Sequence, residues 1–312
     1  MIIDAAILSN EEKISFALRA LYHSRGYVPY RMGRFEEYEL YMKNKDFLPS
    51  PEVITFTDTN GKLKAIKPDV TLSIVRSARP APGQTVKLYY DENVCRVSDT
   101  ARGFREIRQA GLECIGAVDE KCIGEVLELA LESLGLIAED SRLCVSHLGI
   151  VSALLDRALM QEEARARALK LIGEKNLHEL AELCRSCGVE EKAAEKLCAL
   201  VLCSGTPDRV LPRLREIGCP EEYTGELEHL TAMLQEKGRE RLVIDFSILG
   251  DMRYYNGVAF RGYVSGVPSG VLSGGQYDRL LERLGKQGGA VGFACYLDKL
   301  ERIAGSGVTA DA

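Results

Sequence analysis

The sequence predicts an α+β fold, a β-sheet flanked by helices and interrupted by a mainly helical insertion. Three observations carry this reading. First, Leu88–Gly116 reads as strand, long hairpin loop and strand. An apolar run at Leu88–Tyr90 leads into Arg96, a polar stretch spans Ser98–Gly103, and Arg105, Arg108, Gln109 and Glu113 then alternate with Ile107, Leu112 and Ile115. Second, from about Gly149 to Lys237 nearly every pattern is helical and rich in Ala, Leu, Glu and Arg, with Gly173, Gly188, Gly205 and Gly218 as punctuation. Third, strand signals resume at Leu242–Phe246, Val258–Tyr263 and Val271–Ser273, so strands distant in sequence must meet in one sheet. The expected organisation is a first part of the core at 1–148, a helical insertion at 149–238 and a second part of the core at 239–312.

Each element has a local cause. Ser9 and Glu12 stand at capping-box spacing ahead of Ile14, Ala17, Leu18, Leu21 and Tyr22, which repeat at helical intervals until Gly26. Pro29 biases Tyr27–Met32 toward an extended chain, and Glu36–Lys45 suits a short helix. Val53–Thr57 and Leu63–Ile66 read as a hairpin turned at Asn60-Gly61. Lys67-Pro68-Asp69-Val70-Thr71 then opens a helix through Ile74 and Val75, with Asp69 either as its N-cap or facing a ligand. Ile123, Val126, Leu127, Ala130, Leu131 and Leu134 form one apolar stripe, which Gly135 is placed to stop. Leu143–Val145 reads as a short strand, and the chain closes with a helix-like Asp278–Leu284 and a last segment at Ala290–Ile303.

Composition narrows the function. A chain of 312 residues with 46% hydrophobic content can fill a core, and a net charge of −6 with a pI near 5.5 does not call for a nucleic acid or an anionic membrane. No stretch approaches the roughly 20 apolar residues that span a bilayer, and MIIDAAILSNEE lacks a signal peptide's basic flank, so a cytoplasmic protein is expected. The ten cysteines are scattered, several within helical patterns, which suits reduced thiols without disulfides. Cys184 and Cys187 have zinc-ligand spacing, but no second pair completes four ligands, and neither a metal nor a cofactor is expected. Four scattered histidines, His23, His147, His178 and His229, outline no nucleophilic triad.

A sheet face that raises arginine, glutamine and glutamate into one space suits a small-molecule site, the other reading being a solvated hairpin. Gly274-Gly275 either lets the backbone approach a ligand or makes a strand-to-helix turn. Tyr254-Tyr255-Asn256-Gly257, between two apparent strands, reads locally as a hairpin turn with an aromatic pair.

Taken together, the motifs resemble the catalytic core of class II aminoacyl-tRNA synthetases, and specifically the histidyl-tRNA synthetase family, over most of 5–135 and 240–304. Ile66-Lys67-Pro68-Asp69-Val70-Thr71 is similar to that family's amine-reading segment. Arg96 with Arg105-Glu106-Ile107-Arg108-Gln109 and Glu113 is similar to its second class-defining motif. Asp251-Met252-Arg253-Tyr254-Tyr255-Asn256 looks like its histidine-specific segment. Gly274-Gly275-Gln276-Tyr277-Asp278 with Ala290-Val291-Gly292-Phe293-Ala294 looks like its last motif. The resemblance implies a six- or seven-stranded antiparallel sheet and a dimer formed through the N-terminal part. It also implies an amino-acid pocket. Asp69 and Thr71 would meet an ammonium, Arg96 a carboxylate, and Gln109 and Glu113 the ammonium or nearby polar atoms. Tyr255 and Tyr277, with Tyr254 beside them, would line the imidazole side.

Departures from the family pattern point away from adenylation. Gly250 stands where the family has the arginine that opens the histidine-specific segment. Ser98 replaces an acidic residue, Gln276 an arginine, and Lys299 the arginine that grips nucleotide phosphate. Losing several charges that stabilise a transition state argues against synthetase chemistry. Arg253 does not substitute, because three residues along a strand point to the other face. No anticodon-binding domain is expected after the last motif. The chain therefore resembles the regulatory subunits of ATP phosphoribosyltransferase, which implies no catalysis of its own. The implied partners are histidine and a short-form ATP phosphoribosyltransferase catalytic subunit, in the first step of histidine biosynthesis, with no tRNA and no membrane. A divergent histidyl-adenylate-forming enzyme or truncated histidyl-tRNA synthetase is the alternative reading.

Overall fold

The computed structural model describes residues 7–48, 52–97, 103–158, 160–250, 252 and 254–302. Helix α1 (Asn10–Ser24) starts as its sequence dictates, with the Ser9 side chain accepting from Glu12 N and Glu12 Oε2 accepting from Ser9 N at 2.8 Å. This capping box satisfies two N–H groups that the first turn leaves without helical partners. Ser9→Ala is expected to cost about 1 kcal/mol, read as a small fall in the melting midpoint with an unchanged helical signal. No measurable fall would mean that tertiary packing alone holds this end.

Among the described residues, twelve strands build two sheets. Their ranges are β1 (Val28–Pro29), β2 (Phe35–Glu37), β3 (Thr55–Thr57), β4 (Leu63–Ile66), β5 (Thr85–Val97), β6 (Phe104–Gly116), β7 (Ser141–His147), β8 (Ser204–Gly205), β9 (Leu242–Asp245), β10 (Val258–Val264), β11 (Leu272–Gln276) and β12 (Gly289–Tyr296). The small sheet runs β2-β4-β3, with the expected hairpin β3–β4 inside it. The large sheet runs β1-β5-β6-β12-β11-β10-β7-β9-β8. Its six central strands, β5 to β7 in that order, are antiparallel throughout, as the resemblance implies. The short β1 and β9 add parallel pairings at either side.

The other helices are α2 (Tyr38–Lys43), α3 (Thr71–Ser77), α4 (Glu120–Ile137), α5 (Leu148–Arg157), α6 (Glu162–Gly173), α7 (Leu177–Ser186), α8 (Glu191–Leu202), α9 (Pro207–Ile217), α10 (Glu221–Met233), α11 (Glu236–Arg239) and α12 (Asp278–Arg283). No helix among the described residues is long and apolar enough to cross a membrane, and all ten cysteines are free thiols.

The two faces of β6 serve different cores, because successive side chains in a strand alternate. Ala110, Leu112 and Cys114 join Leu18 and Tyr22 of α1 and the apolar stripe of α4 in one cluster. Ile107 and Ile115 join Tyr90, Val94, Ile74, Val75 and Leu280 in the other. Each large apolar side chain buried here contributes about 1.5–3 kcal/mol.

Alternation also corrects the sequence reading of this strand, since Ile107 and Ile115 share the face of Gln109 and Glu113. Arg108 does not share a face with Gln109 and Glu113; it points toward α1, where it pairs with Asp91 at 2.9 Å and Glu11 at 3.1 Å. Gly135 does not stop α4, which runs on to Ile137. A Cβ at Gly135 would lie 3.0 Å from Arg241 Nη1, so the glycine makes room for that guanidinium. Tyr254–Gly257 is no hairpin turn, because β9 and β10 are not neighbours and β7 lies between them. Helix α3 starts at Thr71, two residues after Asp69, yet Asp69 Oδ1 still accepts from Leu72 N at 2.8 Å and so satisfies its first turn.

Candidate functional site

A cavity of about 220 Å³ opens over the middle of the large sheet. It exists because two cross-strand rows on this face carry small residues. One row aligns Glu113, Gly292, Gly275 and Ala259 across β6, β12, β11 and β10. The next aligns Gly111, Ala294, Ser273 and Arg261. The glycines leave room for larger neighbours to lie across the floor. A Cβ at Gly292 would meet Glu113 Oε2 at 1.8 Å, and one at Gly275 would meet the Tyr255 ring at 2.6 Å. The volume falls below the about 300–1,000 Å³ of drug-sized sites and suits a ligand of amino-acid size.

All eight residues singled out in the sequence line this cavity: Asp69, Thr71, Arg96, Gln109, Glu113, Tyr254, Tyr255 and Tyr277. Strand β6 raises Gln109 and Glu113 four residues apart on one face, and the start of α3 brings Thr71 against them. Thr71 Oγ1 donates to Glu113 Oε1 at 2.7 Å, and the Tyr277 hydroxyl donates to Oε2. Glu113 is 1% exposed and makes no ion pair among the described residues. Burial pushes its carboxyl up to about 8, against the pull of the Tyr277 and Thr71 hydrogen bonds. Without a ligand it is therefore largely protonated at neutral pH.

Asp69 and Arg96 face one another. Arg96 Nε donates to Pro68 O at 2.8 Å, and an Nη2 contact reaches Asp69 Oδ2 at 3.3 Å. Burial holds the Asp69 carboxyl above its ordinary value, with Arg96 and the Leu72 N–H pulling it back. Gln109 is 2% exposed, and its Nε2 has no hydrogen-bond partner among the described residues. A buried donor left unpaired costs free energy, which a ligand acceptor would recover.

The aromatic wall is built from three tyrosines and Phe47. Tyr254 meets Tyr255 edge-on at 4.7 Å between ring centroids and lies 5.3 Å from Tyr277, with Phe47 edge-on at 6.0 Å. Such geometry gives a flat ring a face to pack on. Burial drives the Tyr254 and Tyr277 hydroxyls well above their ordinary values, so they remain hydrogen-bond donors.

The departures from the synthetase pattern have structural consequences. Gly250 has φ +56, and a Cβ there would lie 2.7 Å from the Tyr255 ring, so an arginine at this position would strain the backbone and displace Tyr255. Gln276 Nε2 donates to Asp278 Oδ2 at 2.7 Å. Lys299 Nζ donates to Gly270 O at 2.8 Å and sits 4.7 Å over the Tyr296 ring. Ser98, Asp251 and Arg253 lie outside the described residues. No group of three or more His, Cys, Asp or Glu that could hold a metal occurs among the described residues.

Six lining residues escaped the sequence reading: Phe47, Leu48, Tyr90, Arg261, Ser273 and Tyr296. Strand parity could have flagged Tyr90, which shares its face with Leu88 and Val94. Arg261, Ser273 and Tyr296 depend on register between strands far apart in sequence, and Phe47 and Leu48 on how the turn after α2 folds over the sheet.

The histidyl-tRNA synthetase family matches the chain over residues 6–300. An ATP phosphoribosyltransferase regulatory subunit of an Anaeromyxobacter species is 31% identical over 298 residues, 92% of this chain and 86% of the relative. One from Caldanaerobacter subterraneus subsp. tengcongensis is 29% identical over 301 residues, 93% and 77% of the two chains. Among solved structures, an ATP phosphoribosyltransferase regulatory subunit/histidyl-tRNA synthetase from Bacillus halodurans C superposes with a TM-score of 0.82 at 24% identity, covering 97% of this chain and 82% of that one. A chain of the ATP phosphoribosyl transferase (HisG:HisZ) complex from Thermotoga maritima gives a TM-score of 0.73 at 21% identity, covering 92% and 97%. The fold is that of the class II synthetases, and the chain belongs to the histidyl-tRNA synthetase family and, within it, to the ATP phosphoribosyltransferase regulatory subunits.

Proposed function

We propose that this regulatory subunit joins a short-form ATP phosphoribosyltransferase catalytic subunit, is required for its activity, and makes it responsive to histidine through the cavity over the sheet. The observation that supports this reading most is the combination of an amino-acid-sized polar cavity with a left-handed Gly250 packed under Tyr255, where adenylation would need a cation. Binding is kept while the group for activating a carboxylate is missing. Histidine would inhibit by binding one state of the complex more tightly than the other, and that difference in affinity sets the size of the shift. The chain would also pair with a second copy of itself. Phe35 and Leu63, exposed on the small sheet at 57% and 46%, suit a covered surface better than a wetted one.

The test is reconstitution with a short-form catalytic subunit, beside histidine-dependent ATP–pyrophosphate exchange by the isolated chain. Activation by at least tenfold without exchange is the expected result. Exchange without activation would overturn the reading and make the chain an enzyme.

A further inference from the structure

Among the described residues, five helices close with the same turn. The chain passes through a left-handed residue, and the next N–H reaches back five positions to a carbonyl of the last turn. Four of those left-handed residues are glycines: Gly26, Gly188, Gly218 and Gly285. The fifth, after α6, is Lys175 with φ +53, the one non-glycine with positive φ among the described residues. Lys175 N donates to Ile172 O at 3.0 Å and Asn176 N to Leu171 O at 2.9 Å, so the turn itself is made as at the glycines. A side chain in this conformation costs free energy that glycine would not. The cost is offset by what the side chain reaches. Lys175 Nζ pairs with Asp245 Oδ2 at 2.6 Å and ties the helical insertion to the end of β9.

Asp245 is 9% exposed and holds more than the lysine. Its Oδ1 accepts from Ser247 N at 2.9 Å and from Ser247 Oγ at 2.7 Å. Both oxygens belong to one planar carboxylate, so the lysine on one fixes the direction of the other. Ser247 opens the segment that ends at Gly250, and Gly250 lies against the Tyr255 ring in the cavity wall. The same segment borders a groove of about 940 Å³ that is lined from the insertion by Leu169, Lys170 and Gly173 of α6. Insertion and core thus face one another beside the cavity, and Lys175 and Asp245 clasp them together.

We propose that Lys175 is a positioning residue through which the helical insertion sets the affinity of the cavity for its amino acid. With the clasp closed, the 247–250 segment supports the Tyr255 wall; with it open, that support loosens. The inference rests on the amino-acid reading of the cavity. It makes the insertion a lever, since a partner that moves α6 relative to β9 changes the affinity for the ligand.

The test is calorimetry with histidine on the full chain, comparing wild type with Lys175→Gly and Lys175→Arg. Glycine suits the left-handed position, which offsets the loss of an ion pair whose lysine side chain is 46% exposed, so the melting midpoint of Lys175→Gly should not fall. Its histidine binding should nevertheless weaken about fivefold or more, the lower end of couplings between sites. Lys175→Arg keeps the charge and should stay within about twofold of wild type. Added salt should weaken binding by wild type more than by Lys175→Gly, because the clasp is open to screening. Wild-type affinity in Lys175→Gly, a loss only in step with a lower midpoint, or equal losses in both variants overturns the assignment while leaving amino-acid binding intact. No binding by wild type would overturn the amino-acid reading and this assignment together.

Discussion

Glu113→Gln is expected to weaken histidine binding at least a hundredfold while leaving the protein more stable than wild type above pH 8. The two effects have one cause. The carboxyl is buried without a cation and titrates at about 8 in the folded chain, against an ordinary value of 4.5. Between these values the folded state holds a proton that the unfolded state has released. This contribution to stability is therefore full below about pH 4.5 and is lost as pH rises to about 8, a loss of at most a few kcal/mol. Glutamine cannot ionise, and its carbonyl still accepts from Thr71. The melting midpoint of the variant should gain on wild type from pH 5 to 8 and then level off.

Ligand binding should show the same proton. An ammonium against Glu113 favours the carboxylate, so wild type should release part of a proton per histidine at neutral pH. Affinity should rise with pH up to about 8. Calorimetry in buffers of different ionisation enthalpy reads the release directly. A variant that still binds histidine normally would remove the cavity from consideration as the amino-acid site, and a pH-independent midpoint difference would mean that Glu113 is ionised in the free protein.

Gly292→Ala should be the most damaging single methyl in the sheet, costing about 3 kcal/mol and several degrees in melting midpoint, with loss of histidine binding. The new Cβ would lie 1.8 Å from Glu113 Oε2 and 2.4 Å from Leu112 O. The first neighbour is a carboxyl held by Thr71 and Tyr277, and the second is backbone of the adjoining strand. Neither can give way without moving α3 or parting β6 from β12. Gly33→Ala is the matched control, since its Cβ would meet only Phe35 O, at 3.5 Å, an ordinary contact. Equal melting for the two variants would mean that the glycine floor is not close-packed.

The legible part of this protein is whatever depends on neighbours in sequence. The Ser9–Glu12 box, the turn at Asn60-Gly61 and the apolar stripe of α4 are local patterns, and the structure contains each of them. Ordered motifs also identified the eight lining residues, because residue type and spacing are preserved in the chain itself. Local reading failed where a second segment decided the outcome. Gly135 looks like a helix stop until Arg241 is seen packed beside it, and Tyr254–Gly257 looks like a hairpin until β7 is found between its flanking strands.

By itself, then, the sequence determined which elements form and which residue types are available for a site. The tertiary structure decided which of them share a face, that Arg108 serves α1 instead, that a row of glycines hollows the sheet, and that Arg96 is already paired with Asp69. The physical reason is that cross-strand register is a non-local quantity. A shift of one residue turns every side chain of a strand to the other face, and only the packing of both sheet faces at once selects the register that is seen.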